Sequence, residues 1–115
     1  MRYPIVPMAK PRPRVTRNGR HTYMPDAYVK WKADCAVLGL TLPDRFGVRF
    51  WFGMPPSWSQ KKKRAMLFEN HQQKPDLDNL LGGLMDAARV DDASIYEVHA
   101  SKAWDHESSI EIWEL

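Results

Sequence analysis

The sequence lacks the cysteines that a disulfide or zinc scaffold requires. Its 115 residues include one cysteine, Cys35, so no intramolecular disulfide can form, and no cysteines and histidines have the spacing of a zinc site. Cys35 lies on the apolar stripe of a predicted helix, so we interpret it as a small buried hydrophobic residue and not as a nucleophile. This cysteine usage fits the reducing cytoplasm, where we expect the protein to be located.

Long apolar segments are also missing. Residues 1–4 contain no apolar core of the kind that a secretory signal peptide has, and no run approaches the length that spans a membrane. There are no internal repeats, and the only low-complexity stretch is the lysine run at residues 61–63. We therefore expect a soluble protein that is not exported and has no membrane partner.

The composition suits one compact domain at residues 1–115. Hydrophobic residues make up 43% of the chain, which is enough for a core, but 115 residues leave no room for a second domain. The 17 lysines and arginines exceed the 14 aspartates and glutamates, giving a net charge of +3. This excess is modest over a whole surface, so the distribution of the charges matters more than their sum.

Apolar periodicity predicts the order of strands and helices. Alternation indicates strands, and three-and-four spacing indicates amphipathic helices. The predicted elements are an edge strand at residues 3–8, a helix at 25–38, a strand at 46–52, helices at about 58–68 and 76–88, and strands at 94–104 and 110–115. We expect the strand at 46–52 at the centre of the sheet. The fold class is α+β, a single two-layer domain with a mixed or antiparallel sheet and helices on one face.

A basic arm at about residues 9–24 carries a dense cluster of cations. Pro11 and Pro13 prevent a helix there and keep the chain extended. Asn18-Gly19 predicts a type I′ hairpin turn, because both positions of that turn need positive φ. Such a ribbon suits the phosphate backbone of a nucleic acid, and a solvated, mobile loop is the alternative. The residues predicted to bind DNA are Lys10, Arg12, Arg14, Arg17 and Arg20.

A second basic stretch follows Pro55-Pro56, which end the preceding strand. The segment Ser57-Trp58-Ser59-Gln60 has the form of a capping box, so Ser57 is predicted to begin a helix that runs towards Phe68. Consecutive residues point around a helix, so its four cations cannot all contact one phosphate track. DNA contact and a solvated surface both stay open for these residues. They are Lys61, Lys62, Lys63 and Arg64.

The chain is organised around the acidic motif Lys74-Pro75-Asp76-Leu77-Asp78-Asn79-Leu80. Pro75 favours a helix start directly after it, Asp76 can cap that helix with its carboxylate, and Asp78 lies in the first turn. A second pair, Asp91-Asp92, follows at a short interval. Carboxylates from two such segments can surround one Mg²⁺, which prefers oxygen ligands. Helix capping alone is the alternative for the first pair.

Four further residues near this motif bear on the site. Asp86 lies eight residues beyond Asp78, about 12 Å along a helix axis, which is too far to share a cation held at the helix start. Gly82-Gly83 cost about 1 kcal/mol each relative to alanine, so we expect a packing reason, such as the close approach of a helix or a subunit. The polar segment 69–73 predicts a loop in which His71 is a surface residue. We also expect the acidic helix start to meet the start of the strand at residue 94.

This motif, together with Asp86-Ala87 and Asp91-Asp92-Ala93-Ser94-Ile95, resembles the core signature of RusA-type Holliday junction resolvases. The resemblance covers most of the chain, and the flanks at residues 10–17 and 58–64 resemble phage-borne members. It implies a homodimer that uses Mg²⁺ to cut branched, four-way DNA, without a small-molecule cofactor, and Mn²⁺ is expected to substitute. It also implies residue roles. The metal-binding catalytic acids would be Asp76, Asp78 and Asp92, with Asp91 as a neighbouring or alternate ligand, Asn79 and Lys102 as supports and Lys74 on DNA.

Two features depart from the family pattern. Gly82 stands where the family commonly has a lysine on the same helical face as Asp78, so either catalysis is impaired or another cation, such as Lys102 or Lys74, supplies that charge. The connection from Asp86 to the second acidic pair is also shorter than usual. From the acidic motif and the family resemblance, the leading hypothesis is a Mg²⁺-dependent, structure-selective endonuclease that resolves junctions. Gly82 and the shorter connection motivate the alternative, a catalytically weak module that binds junctions or single-stranded DNA.

Overall fold

The computed structural model describes residues 1–115 apart from the side chain of Asp92. A 3₁₀ helix at Asp92–Ser94 precedes the fifth strand. The other elements, in chain order, are β1 (Arg2–Tyr3), β2 (Arg14–Val15), β3 (Thr22–Tyr23), α1 (Asp26–Val37), β4 (Arg45–Gly53), α2 (Gln60–Met66), α3 (Leu77–Ala87), β5 (Glu97–Asp105) and β6 (Ser109–Glu114). This order of strands and helices confirms the one predicted from periodicity.

Four strands form a mixed sheet in the order β1-β6-β4-β5. The β1–β6 and β6–β4 pairs are antiparallel, while β4 and β5 are parallel. A parallel pair needs a long crossover, and here the crossover contains α2, α3 and the acidic motif. β4 lies between two neighbours, which confirms its predicted position inside the sheet.

The core lies between the sheet and the helices α1 and α3. Every second residue of β4 points to this side, and β6 adds Ile110 and Ile112. The fully buried side chains include Phe46, Val48 and Phe50 from β4, Tyr28 and Cys35 from α1, and Leu80 and Leu84 from α3. The fold is therefore the predicted two-layer α+β domain, and Cys35 is the buried residue that its stripe indicated.

Two strands are shorter than predicted. β1 contains only Arg2–Tyr3, because Pro4 has no N–H group with which to continue the pairing to β6. It is nevertheless an edge strand, as expected. β5 begins at Glu97 and not at residue 94, since the chain first makes the 3₁₀ helix.

Helix α2 begins two residues later than the capping-box pattern predicts. Its N-cap is Ser59, whose hydroxyl oxygen accepts the backbone N–H of Lys62 at 3.1 Å. The segment before it is occupied by a turn in which the Trp58 N–H binds the Pro55 carbonyl oxygen at 3.1 Å. The prediction of Ser57 as the cap was therefore wrong, although the helix itself is present.

The basic arm forms the predicted β-ribbon, but its turn is of another type. Only Gly19 of the Asn18-Gly19 pair has positive φ, at 72°, so the turn is not type I′. The Gly19 N–H binds the Thr16 carbonyl oxygen at 2.8 Å, and the Asn18 carboxamide oxygen accepts the Arg20 N–H at 3.0 Å. The Asn18 side chain thus bonds within the turn, and the loop between β2 and β3 is longer than two residues.

The segment that leads into the arm crosses α3 at its glycine pair. The Lys10 N–H binds the Asn79 carbonyl oxygen at 2.9 Å. A Cβ atom at position 83 would overlap the carbonyl oxygen of Met8, so only glycine lets the two backbones lie this close. Gly83 therefore has the expected packing reason, and the element that approaches it is the N-terminal segment, whereas Gly82 is not required by the packing within the chain.

Replacing Gly83 with alanine should destabilise the fold. Forcing the N-terminal segment away from α3 is an overpacking change, which costs about 1–3 kcal/mol. Gly82→Ala is the matched control, because a Cβ atom there would lie 3.7 Å from the nearest atom, in ordinary contact. It should be neutral or stabilise by up to about 1 kcal/mol through helix propensity. Urea unfolding of both variants tests this, and equal free energies of unfolding would contradict it.

Candidate active site

Asp76 and Asp78 lie together at the start of α3, exposed to solvent. Asp76 is the N-cap residue, but its carboxylate makes no capping hydrogen bond and instead binds the Lys74 ammonium group at 2.7 Å. The predicted side-chain cap is therefore wrong, because the neighbouring cation attracts the carboxylate more strongly than the helix N–H groups do. The Asp78 carboxylate accepts the N–H of its neighbour Asn79 at 2.9 Å.

The charge state of Asp76 suits cation binding. A hydrogen bond from Lys74, followed by the charges of Lys74 and Lys102, holds the pKa of the Asp76 carboxyl below its usual range. This carboxylate is therefore ionised near neutral pH. A metal ion at Asp76 would have to compete with Lys74, whose side chain is exposed and able to swing away.

Lys102 fastens the loop before the acids to the sheet. Its ammonium group donates to the carbonyl oxygens of Gln73 at 2.7 Å and Pro75 at 2.9 Å. Lys102 is paired in register with Phe50 of β4, so it points to the side of the sheet that the helices cover. The residue that the family resemblance named as a support thus holds the backbone of the acidic motif.

Backbone pairing continues this attachment along β5. The Phe68 N–H binds the Trp104 carbonyl oxygen at 2.9 Å, and the Trp104 N–H binds the Glu69 carbonyl oxygen at 3.0 Å. The His71 N–H binds the Lys102 carbonyl oxygen, also at 3.0 Å. These bonds cover the free edge of β5, so the chain enters the acidic motif from a sheet edge and not from a free loop.

His71 is buried, which contradicts its prediction as a surface residue. Only 5% of it is exposed, and its ring lies 4.5 Å from Phe52 and 4.2 Å from Trp104, measured between ring centroids. Its Nδ1 accepts the Gln73 N–H at 3.4 Å. The polar segment 69–73 carries no periodicity that could have revealed this burial, because the pairing with β5 is what turns the imidazole inward.

The second acidic pair follows α3 in the chain. Asp91 follows the last turn of this helix, and its carboxylate accepts the Ala93 N–H at 3.0 Å. The eleven residues of α3 span about 16 Å, but Asp91 lines the same cavity as Gly82, which lies one helical turn after Asp78. The expectation that the acidic helix start meets the start of the strand at residue 94 stays a prediction. The predicted ligand Asp92 lies outside the described side chains. Within the described ones, no group of three acids, histidines or cysteines is placed to hold a metal ion.

Asp86 has structural partners, consistent with its exclusion from the metal site. Its carboxylate accepts the Tyr28 hydroxyl at 2.6 Å and lies 3.3 Å from the Lys32 ammonium group. Burial would raise the pKa of Asp86, but hydrogen bonds from Tyr28 and Lys32 and the charges of Lys32 and Lys10 lower it. Asp86 therefore ties α3 to α1 as a carboxylate.

The predicted DNA-binding side chains are distributed over three places. The arm residues Arg12, Arg14, Arg17 and Arg20 are all exposed. On α2, Lys63 is half-buried, while the Lys62 ammonium group lies 4.3 Å from the centroid of the Trp58 ring. Lys10 lies against α3, and Lys74 is paired with Asp76. The arm and the acids are thus joined through Lys10 and Asn79.

The chain matches the sequence model of a known protein family. The model described as "Endodeoxyribonuclease RusA" matches residues 4–113 of the chain. No curated protein matches the chain. As regards membranes, no helix in the described part of the chain has the length and apolar character to cross a bilayer.

Replacing His71 with phenylalanine should remove a pH dependence of stability. Burial, followed by the charge of Lys102, lowers the pKa of His71, so the unfolded chain binds a proton at higher pH than the folded chain. The contribution of neutral His71 to the free energy of unfolding is complete above the pKa of about 6.5 that the histidine has in the unfolded chain. It is lost as the pH falls through the lower pKa that His71 has in the folded chain. Urea unfolding from about pH 7 to about pH 5 should show a steeper loss of stability in the wild type than in His71→Phe.

The matched control is His106→Gln, at an exposed histidine in the turn between β5 and β6. This variant should keep the wild-type pH profile. Parallel profiles for the wild type and His71→Phe would show that His71 is not held neutral by its surroundings.

Proposed function

Because the chain belongs to the RusA endodeoxyribonuclease family, we propose that it is a Mg²⁺-dependent endonuclease that resolves four-way DNA junctions by symmetric nicking in recombination and repair. The family consists of Holliday junction-resolving endodeoxyribonucleases, so the chain's partner is branched DNA. The finer proposal rests on the exposed pair Asp76 and Asp78, which lie at a helix start that Lys102 holds against the sheet. Their exposure lets a phosphate and a cation reach the two acids, and the hydrogen bonds of Lys102 keep the acids in place.

The donor set at this helix start fits Mg²⁺. Magnesium commonly takes one or two protein carboxylates and completes its shell with water and substrate phosphate oxygens. Asp76 and Asp78 supply two such carboxylates, and we assign Asp92 as a further ligand with Asp91 as its neighbour or alternate. A bound ion supplies Lewis-acid polarisation of the phosphodiester and activation of the attacking water. Mn²⁺, which also accepts oxygen ligands, is expected to substitute.

The chain's own residues hold the site in order. Lys102 keeps the carbonyl groups of Gln73 and Pro75 against β5, so the start of α3 cannot drift away from the sheet. Asn79, the proposed support, accepts the N–H of Lys10 through its carbonyl group and so joins the basic arm to the acid-bearing helix. DNA held by the arm would therefore pass the acids.

The phosphate backbone provides most of the proposed binding energy. The arm presents exposed guanidinium groups on a two-stranded ribbon whose strand residues are exposed on both sides. Such contacts position DNA without reading its sequence. The cations of α2 are a second proposed contact surface, next to Trp58. A homodimer is also part of the proposal, since two-fold symmetry would place one site on each of two junction strands.

A junction-binding module without cleavage is the second candidate. It is favoured by Gly82, which leaves the face of α3 one turn after Asp78 without a cation of its own, and by the short connection from Asp86 to Asp91. A synthetic four-way junction incubated with protein and Mg²⁺ or Mn²⁺ separates the two functions, with a linear duplex of the same sequence as the control. Paired nicks in the junction alone support the endonuclease. A shifted but intact junction supports the binding module.

Asp78→Asn should abolish cleavage and preserve junction binding. The change removes a ligand charge at the metal but leaves the phosphate contacts of the arm in place, so the rate should fall by at least about 100-fold. The measurement is single-turnover cleavage with binding followed in parallel. Asp34→Asn is the matched control, because Asp34 lies on α1 in an exposed pair with Lys30. Cleavage by Asp78→Asn within a few fold of the control would contradict the metal assignment.

Neutralising Arg12, Arg14 and Arg17 together should weaken binding to any DNA and reduce its salt dependence. Each phosphate contact that is lost lowers the slope of log affinity against log salt by about 0.9 for duplex DNA. Titrations at several salt concentrations measure that slope. An unchanged slope would place the arm away from DNA, and the same titration of a Lys61, Lys62 and Arg64 triple variant decides whether α2 contacts it.

A further inference from the structure

The side chain of Lys10 lies across α3 on the face that carries Asp78. Its backbone position is set by the N–H bond to Asn79 and by the close approach that Gly83 allows. A Cβ atom built on Gly82 would lie 3.7 Å from Cβ and 3.8 Å from Cδ of Lys10. The aliphatic stem of Lys10 therefore covers the glycine that lies four residues, or about one helical turn, after Asp78.

We propose that Lys10 supplies, from the N-terminal segment, the cation that binds the phosphate beside Asp78, in place of a basic side chain at position 82. This inference rests on the proposed endonuclease function and names a residue that serves it. Lys10 then differs from the other cations of the arm, because it acts on the cleavage step and they act on affinity.

The other two candidate lysines are engaged elsewhere. The ammonium group of Lys102 donates to two backbone carbonyl oxygens, and Lys74 is paired with Asp76. Releasing Lys102 would free the loop that carries the acids. Lys74 is exposed as well, but its ammonium group would have to leave Asp76 to bind a phosphate. Lys10 is exposed and lies outside the acidic loop, so its ammonium group can reach a phosphate without breaking the site.

The charges around Lys10 give a reason for a cation at this place. A cavity of about 350 Å³ beside the helix face is lined by Lys10, Gly82, Asp86, Arg89 and Asp91, among others. Two carboxylates in this wall, with Asp78 one turn away, repel a DNA phosphate. Lys10 and Arg89 offset that repulsion, and the charge of Lys10 helps to lower the pKa of Asp86. Without Lys10, the acids would oppose the substrate that they are proposed to cut.

A lysine at position 82 and Lys10 are thus two alternative sources of the same positive charge. A long side chain at position 82 would occupy the space that the Lys10 stem now fills, so only one of them fits there comfortably. This relationship predicts a reciprocal rescue. The Lys10→Ala change removes the charge and the stem, and Gly82→Lys can then supply both from α3.

The experiment measures single-turnover cleavage of a four-way junction and, separately, junction affinity. Lys10→Met, which keeps the stem, and Lys10→Ala should both lower the cleavage rate by about 10- to 100-fold, with affinity changed by less than about 3-fold. Lys10→Ala combined with Gly82→Lys should recover the rate to within about 3-fold of the wild type. Arg12→Ala is the matched control, since it should lower affinity and should not be rescued by Gly82→Lys.

Three results would overturn the inference alone: wild-type cleavage rates in Lys10→Met, a loss of affinity like that of Arg12→Ala without a slower cleavage step, or a double variant as slow as Lys10→Ala. Unfolding measurements on each variant exclude a folding defect, and Lys10→Met preserves the packing over Gly82. A wild-type chain that leaves the junction intact in Mg²⁺ and Mn²⁺ would instead overturn the proposed function, and this inference with it.

Discussion

The ammonium group of Lys102, bound between the carbonyl oxygens of Gln73 and Pro75, joins the sheet to the acidic motif. Hydrogen bonds that involve a charged group are worth about 1.5–3 kcal/mol, more than neutral ones, so this brace is a strong local constraint. The backbone bonds from β5 to residues 68–71 extend it along the sheet edge. The start of α3, and with it Asp76 and Asp78, takes its position from β5.

A second constraint attaches the basic arm to the same helix. Gly83 lets the carbonyl group of Met8 lie against α3, and the Asn79 carbonyl oxygen then receives the N–H of Lys10. The cations of the arm therefore begin beside the acids. This juxtaposition lets a molecule with a modest net charge of +3 present a local positive surface to DNA while keeping exposed carboxylates next to it.

Local patterns predicted most of the fold. The alternation in β4, the buried stripe of α1 and the helix start after Pro75 are all confirmed, because burial of one face imposes the period of the element on the sequence. Errors arose where a side chain had two local partners. Asp76 binds Lys74 instead of capping, and the Asn18 side chain bonds within a turn that is not type I′. Such choices depend on energy differences of about 1 kcal/mol, which a pattern does not resolve.

The sequence by itself determined the elements, their order, the two-layer class and the acidic and basic motifs, because each depends on residues near one another in the chain. Only the tertiary structure decided that His71 is buried, that Lys102 holds the loop and that Lys10 covers Gly82. Each of these depends on groups brought together by the β4–β5 crossover or by the N-terminal segment. Contacts between distant segments leave no period in the sequence, so geometry alone reveals them.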